Sequence, residues 1–292
     1  GEMTIMAWIG LDDTDHLDGG CTTKNFDSLL IALEQNYTIK QPRLVRLWPF
    51  AKQRTRGNAA LAVEINCNNH DQLIKILDEW WRSHILPLKG KISESKISTR
   101  KQFPADPGMA YFIEKPDEAF YYSAVSREVS ISDAPKADYS WGGNGIIGAT
   151  AAVCWPMKNH TYEAISWRSA HNVGKQIPRV IDVELAKSLD EEYDTFMSRD
   201  PRSDNLMIAP RGDCPVLFGL RAKLEQNVAN ACEVLLKSPK TEQTSGYRVF
   251  VTNQATDDHL GDDKQSVVKS LTVKSRGTVV IETDSDNLIA FA

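Results

Sequence analysis

The run Gly10-Leu11-Asp12-Asp13-Thr14-Asp15-His16-Leu17-Asp18-Gly19-Gly20-Cys21-Thr22-Thr23 sets four carboxylates within seven residues, followed by two glycines and two adjacent threonine hydroxyls. It follows an apolar segment, residues 4–9, that reads as a buried strand. Carboxylates crowded at a strand end repel one another, and a chain tolerates this where a cation or a catalytic task offsets the repulsion. On an extended strand, neighbours alternate faces, so Asp13 and Asp15 can share one face, and a turn can re-aim Asp12. Such a set suits Mg²⁺ on a nucleotide triphosphate, with Thr22 or Thr23 in reach as phosphoryl acceptor. The alternatives are a solvated acidic turn for the cluster and a helix N-cap for Thr22.

Working outward, Phe26–Glu34 reads as an amphipathic helix, Leu44–Trp48 and Ala59–Asn66 as strands, and Asp71–His84 as a helix opened by Asp71. Tyr111 and Phe112 fall in a strand after the Asp106-Pro107-Gly108 turn, and Glu118–Val129 reads as helical. Residues 132–144 read as a loop leading into a buried helix, Gly145–Trp155. From residue 161 the predicted order is strand (Thr161–Arg168), helix (Val183–Tyr193), strand (Asp204–Ala209), strand (Pro215–Arg221), helix (Glu225–Leu236) and strand (Val249–Thr252). That is the ferredoxin-like β-α-β-β-α-β pattern. Three short strands, Val267–Val273, Thr278–Glu282 and Leu288–Phe291, form an all-β C-terminal piece. The fold class is therefore α/β (α+β), with expected divisions at 1–157, 158–246 and 247–292.

The 292 residues are 25% charged and 41% hydrophobic, with a net charge of −5. This is ordinary globular composition, and it disfavours broad non-specific nucleic-acid binding. No window approaches a membrane span, and no basic-then-apolar leader is visible near residue 1. The five cysteines are scattered without a CxxC pair, so no zinc site and a reduced, cytoplasmic setting are expected.

Other stretches carry candidate chemistry. Arg54-Thr55-Arg56-Gly57-Asn58 joins cations, a glycine and an amide before a strand. It suits phosphate oxygens, or else forms a solvated surface turn. Gly142-Gly143-Asn144-Gly145-Ile146-Ile147-Gly148 is a Gly-rich turn opening a helix, able to cradle phosphate with backbone amides or simply to pack tightly. The loop carrying Arg211, Asp213 and Cys214 joins two expected strands and reads as a substrate-shaping hairpin; no base identifies Cys214 as a nucleophile. Thr252 to His259 is a polar stretch at a domain junction or ligand contact, and a lone His259 reads as structural.

In order along the chain, Gly10-Leu11-Asp12-Asp13-Thr14-Asp15 with Cys21-Thr22-Thr23, Thr55-Arg56-Gly57-Asn58-Ala59, Asp106-Pro107-Gly108, Gly145-Ile146-Ile147-Gly148-Ala149, Thr161-Tyr162-Glu163 with Arg168, Pro210 to Arg221, and Thr252-Asn253-Gln254 with Thr256-Asp257 resemble the tRNA-isoleucine 2-agmatinylcytidine synthetases. The resemblance implies an atypical kinase-like domain, a ferredoxin-like domain, an OB-fold and a zinc ribbon. It implies ATP-dependent activation of a cytidine C2 oxygen, with agmatine displacing the phosphate. It also implies Thr22 as the phosphorylated residue and Asp12, Asp13 and Asp15 as holders of Mg²⁺ and phosphates. Beside them, Arg56 would be catalytic, and Thr23, Gly57, Asn58, Gly143, Asn144, Gly145 and Gly148 would bind ATP phosphates. Arg211, Asp213 and Cys214 would shape the substrate. The chain departs from the family in lacking zinc-ribbon cysteines and in offering a C-terminal β-piece short of a five-stranded OB barrel. The expected partners are ATP, an amine such as agmatine, and tRNA, whose binding modules look reduced; no membrane is expected. The competing readings are a regulatory nucleotide-binding homologue, a kinase-like enzyme for a small molecule, and an RNA-binding module without catalysis.

Overall fold

The computed structural model describes residues 5–17, 19–54, 57–94, 101–210, 212–260, 265–273 and 278–291. Arg56 and Arg211, together with Asp18 and Thr55, lie outside the described residues. Two compact units divide the chain, residues 1–259 and 260–292.

In the first unit, β1 (Ile5–Asp12), β2 (Arg43–Arg46), β3 (Ala59–Cys67), β4 (Gly108–Phe112), β5 (Tyr139–Gly142), β6 (Thr161–Arg168), β7 (Val216–Ala222) and β8 (Thr244–Thr252) build one sheet. Its order is β5-β4-β1-β3-β2-β8-β6-β7. The N-terminal strands pair antiparallel, and so do β6, β7 and β8. The two groups are joined by a short parallel pairing of β2 with β8, Arg43 opposite Val251 and Leu44 opposite Thr252. The expected boundary at 246/247 falls inside β8, which belongs to this sheet.

Helices cover both faces. Helix α1 (Thr22–Glu34) and α2 (His70–Trp80) share one core with Ile9, Leu11, Leu61, Val63 and Phe250. Helix α3 (Ala119–Ser126) and α4 (Gly145–Cys154) share a second core with Trp8, Ala60, Ala62 and Phe112. Eight of the ten α4 residues are buried, as expected of a helix that is apolar all round. Helices α5 (Val183–Glu192) and α6 (Glu225–Lys237) pack with Leu217, Phe218 and Leu220 in a third core.

Several local expectations are corrected. The first helix begins at Thr22, four residues before Phe26, because Asp15 caps it from outside the helix. Helix α2 is capped by Asn69, whose side chain accepts from the Gln72 N–H, and not by Asp71. Tyr139–Gly142 lies within the stretch expected to be a loop. It is strand β5, which pairs with β4 at the sheet edge. Residues 204–209 make only an isolated bridge, Arg199 with Leu206. The ferredoxin-like half therefore places three paired strands beside its two helices. In the second unit, β9 (Val268–Val273), β10 (Thr278–Thr283) and β11 (Asn287–Phe291) form an antiparallel sheet ordered β11-β10-β9.

Candidate active site

Strand β1 delivers its last residue, Asp12, to a sharp turn. Asp13 there adopts φ 57°, the left-handed region that aspartate tolerates better than most residues. The turn re-aims the carboxylates. The Asp13 N–H donates to Asp12 Oδ1 at 2.7 Å, and Asp13 Oδ2 accepts from the Asp106 N–H at 3.0 Å. Asp12 Oδ2 points onto α4, and a Cβ on Gly148 would lie 1.8 Å from it. A residue without a side chain is therefore required at position 148 for the carboxylate to sit there.

Eight residues beyond Thr14, helix α1 opens on Thr22. Asp15 Oδ1 accepts from both the Thr22 N–H, at 2.5 Å, and the Thr22 hydroxyl, at 2.6 Å. The same hydroxyl oxygen accepts from the Thr14 N–H at 3.2 Å and the Thr14 hydroxyl at 3.0 Å. Cys21, not Thr22, occupies the N-cap position. Thr22 is therefore free of capping duty, and its Oγ1 is oriented by a carboxylate that accepts its hydrogen bond.

These groups line one cleft. Asp12, Asp13, Asp15 and Thr22 form one side. Leu47, Trp48, Arg54, Gly57 and Asn58 come from the β2–β3 connection, Arg127 follows α3, and Asn144, Gly145 and Gly148 come from the start of α4. The β2–β3 wall is braced locally: Leu47 N–H donates to Asn58 C=O at 2.7 Å, and Asn58 Nδ2 to Trp48 C=O at 2.8 Å.

Electrostatically, the cleft is strained toward neutral carboxyls. Burial, then repulsion from Asp13, holds Asp12 well above the usual carboxylate range, although the Asp13 N–H pulls the other way. Burial pushes Asp13 up to about 7, and Asp15 and Asp106 add to this against the hydrogen bond from the Asp106 N–H. A divalent cation reverses both effects by favouring the charged forms. Carboxylate oxygens are the hard donors Mg²⁺ takes, and it usually keeps waters and substrate phosphates as its other ligands. The residues present fit such an ion, although among the described residues no group of three or more His, Cys, Asp or Glu forms a metal cage.

Not every expected site residue joins the cleft. Thr23 points the other way, accepting from Trp167 Nε1 at 3.1 Å. The Gly-rich turn does not present free amides: Gly143 N–H donates to Pro107 C=O, Asn144 N–H to Asp106 Oδ2 and Gly145 N–H to Asp106 C=O. A phosphate cradle of those three amides is thus replaced by close packing against β1 and by Asp106. Cys214 is buried and hydrogen-bonds the Cys21 thiol, which, with burial, pushes the Cys21 pKa up. Cys214 and Asp213 do not line the cleft.

Asp106 belongs to a turn motif that carries no assigned role in the sequence. Its backbone N–H nevertheless holds Asp13, and its carboxylate and carbonyl hold the start of α4. Asn253 is likewise central. Fully buried, it accepts from the Arg46 N–H at 2.7 Å and donates to Arg46 C=O and to Tyr121 Oη, each at 2.9 Å. His259 Nε2 also meets Arg46 C=O at 2.9 Å, so His259 is structural. No local spacing in the sequence marks either role.

No helix among the described residues is long and apolar enough to cross a membrane. The family models described as the TiaS TCKD domain and the TiaS FLD domain match residues 8–79 and 143–259. The tRNA-isoleucine 2-agmatinylcytidine synthetase TiaS of Pyrobaculum neutrophilum is 33% identical over 265 residues, covering 86% of this chain and 58% of the relative. The synthetase of the same name from Methanocorpusculum labreanum is 30% identical over 299 residues, covering 92% and 66%. The solved complex of TiaS with an isoleucine tRNA and ATP superimposes with a TM-score of 0.78 at 25% identity, over 99% of this chain and 72% of that one. The chain thus spans 58% and 66% of the length of the two relatives. Two family domains matched in order, and a shared fold across nearly the whole chain, show that it belongs to the TiaS family.

Proposed function

We propose that this chain is the catalytic part of an ATP-dependent tRNA-isoleucine 2-agmatinylcytidine synthetase, and that Thr22 accepts a phosphoryl group from ATP. The observation that carries this is the Asp15–Thr22 pair in the cleft, with Asp12 and Asp13 beside it. A threonine hydroxyl is a weak nucleophile until a base removes its proton. Asp15 Oδ1 already accepts that hydrogen bond at 2.6 Å. As Thr22 Oγ1 bonds to the γ-phosphorus, its proton passes to Asp15 and the bridging oxygen leaves on ADP.

Asp12 and Asp13 would hold Mg²⁺, which when bound neutralises triphosphate charge. Gly57, Asn58 and Gly148 line the space for the triphosphate, and Arg56 is assigned the role of a further cation. Asp106 keeps Asp13 and the start of α4 in register. Arg211, Asp213 and Cys214 are assigned to shaping the acceptor side. We assign residues 1–157 the kinase-like role and the following ferredoxin-like part the role of completing the site, in a cytoplasmic setting.

The relatives' name gives the product, a 2-agmatinylcytidine, and the steps that reach it are inferred from it. A cytidine C2 oxygen is a poor leaving group until phosphorylated; it bonds to the phosphorus carried by Thr22, and the bond from that phosphorus to Thr22 Oγ1 breaks. Agmatine nitrogen then bonds to C2, the C2–O bond breaks, phosphate departs and the nitrogen loses a proton. The test incubates the protein with γ-labelled ATP and Mg²⁺, then with the isoleucine tRNA and agmatine. Label on Thr22 that disappears in Thr22→Ala, and agmatine incorporated at one cytidine, are the expected results. Absence of both label and nucleotide hydrolysis overturns the reading.

A further inference from the structure

Glu163 on β6 is almost wholly buried, its side chain 2% exposed, yet it carries a charge. Burial alone would raise its pKa, but Arg46 and Arg221 outweigh that and hold it below the ordinary glutamate value. Arg46 Nη2 reaches both carboxylate oxygens, at 3.0 and 2.9 Å. Arg221, opposite Glu163 in the β6–β7 register, sets its Nε 3.5 Å from Oε1. The carboxylate lies over Gly219, where a Cβ would come within 2.9 Å of Oε1.

One carboxylate between two guanidiniums leaves one net positive charge. It also leaves donors over. Arg46 Nε is buried without a hydrogen-bond acceptor, and Arg221 Nε, also buried, has only the Glu163 oxygen at 3.5 Å. Buried donors are normally satisfied, so this pair of guanidiniums is short of acceptors, and a further one can reach it only at the exposed ends. The tips are accessible, Arg46 being 28% and Arg221 17% exposed. A Cβ on Gly57 would lie 3.5 Å from Arg46 Nη1, and Gly57 lines the Thr22 cleft. Arg46 thus stands against the Gly57 side of that cleft, and Glu163 ties Arg221 to it.

We propose that Arg46 and Arg221, braced by Glu163, form an anion subsite at the edge of the Thr22 cleft that binds the oxygens of a phosphate ester. The planar fork of arginine matches such oxygens, and a buried carboxylate that holds both side chains in place removes their ordering cost on binding. Asn253 and His259 fix the Arg46 backbone, so this arginine is held at both ends. The guest's identity rests on the phosphoryl-transfer reading, which supplies two sources of the same chemistry: the ATP polyphosphate and the phosphodiester backbone of the acceptor RNA.

The test uses the full chain with three probes: ATP, inorganic tripolyphosphate and a short single-stranded RNA. Dissociation constants are measured at two salt concentrations for wild type, Arg46→Gln and Arg221→Gln, with thermal melting as the check on folding. The expected result is a loss of affinity of about 10-fold or more in each variant, the size of one charge-assisted arginine contact. If the source is the nucleotide, ATP and tripolyphosphate weaken and the RNA does not. If the source is RNA, its affinity falls and its salt slope drops by about 0.7 per arginine removed. A variant that fails to fold is replaced by Arg46→Lys or Arg221→Lys, which keep the charge but lose the fork. Folded variants that bind all three probes as wild type overturn the subsite and leave the triad a structural brace. Weakened binding without any label on Thr22 keeps the subsite and removes the phosphoryl-transfer reading; a Thr22 label with unchanged binding does the reverse.

Discussion

Asp15 Oδ1 accepts hydrogen bonds from both the backbone N–H and the hydroxyl of Thr22, at 2.5 and 2.6 Å. One carboxylate oxygen therefore both caps helix α1 and orients the Thr22 hydroxyl, the acceptor in the proposed reaction. The two jobs separate on substitution. Asp15→Asn retains an acceptor for the N–H but is a far weaker base. Its expected effect is a loss of Thr22 labelling by about 100-fold or more, the usual size of a general-base contribution. ATP affinity should change by less than about threefold, because the hydrogen-bonded geometry is kept. Thr22→Ser should keep the label, and phosphopeptide mapping checks each variant.

The raised carboxyls predict an inverted pH dependence of stability in the absence of divalent ions. Asp13 has a folded pKa of about 7 against an ordinary value of 3.8. Between those values the folded state binds more protons than the unfolded state, so stability falls as pH rises. The slope is at most about 1.4 kcal/mol per pH unit from this group. Melting temperatures in EDTA should therefore decline from about pH 5 to about pH 8. Asp13→Asn should flatten that decline, and millimolar Mg²⁺ should raise the melting temperature more at the upper end of that range than at the lower. A flat wild-type profile in EDTA would contradict the assigned crowding.

Gly148→Ala tests the close approach of Asp12 to α4. The added methyl would sit 1.8 Å from Asp12 Oδ2, so the carboxylate must move. Overpacking of this kind typically costs about 1–3 kcal/mol. Urea unfolding should show that loss, and ATP turnover should fall with it. A variant of wild-type stability and turnover would mean that Asp12 has room to rotate away.

Asn253→Ala removes three hydrogen bonds from a buried side chain and strands the Arg46 N–H, along with a partner of Tyr121. Leaving buried donors unmatched costs about 1–3 kcal/mol each, partly recovered by relaxation, so a loss of about 2–4 kcal/mol is expected. Asn253→Asp keeps the acceptor for Arg46 N–H but loses both donors and should fall between the two. Chemical denaturation of the three proteins measures the order.

Much of the architecture is legible along the chain, because strands and helices announce themselves through apolar period and turn residues. Strand β1 followed by the acidic turn, the fully apolar α4 and the three C-terminal strands all fall where the patterning puts them. Strand β5 does not: its burial is slight, its pattern is weak, and it exists because the edge of β4 offers it partners. Residues 204–209 show the converse. Their pattern suits a strand, yet only one isolated bridge forms there.

The same division runs through the site. By itself, the sequence determined that carboxylates crowd a strand end ahead of two threonines, because charge and spacing are local properties of the chain. Only the tertiary structure decided which carboxylate meets Thr22. It also decided that Asp106, 93 residues away, holds Asp13, that the Gly-rich turn spends its amides internally, and that Glu163 gathers Arg46 and Arg221. These are hydrogen bonds between distant segments. Their partners are chosen by sheet register and by burial, which make each unmatched donor costly, and neither register nor burial is written in any one stretch of residues.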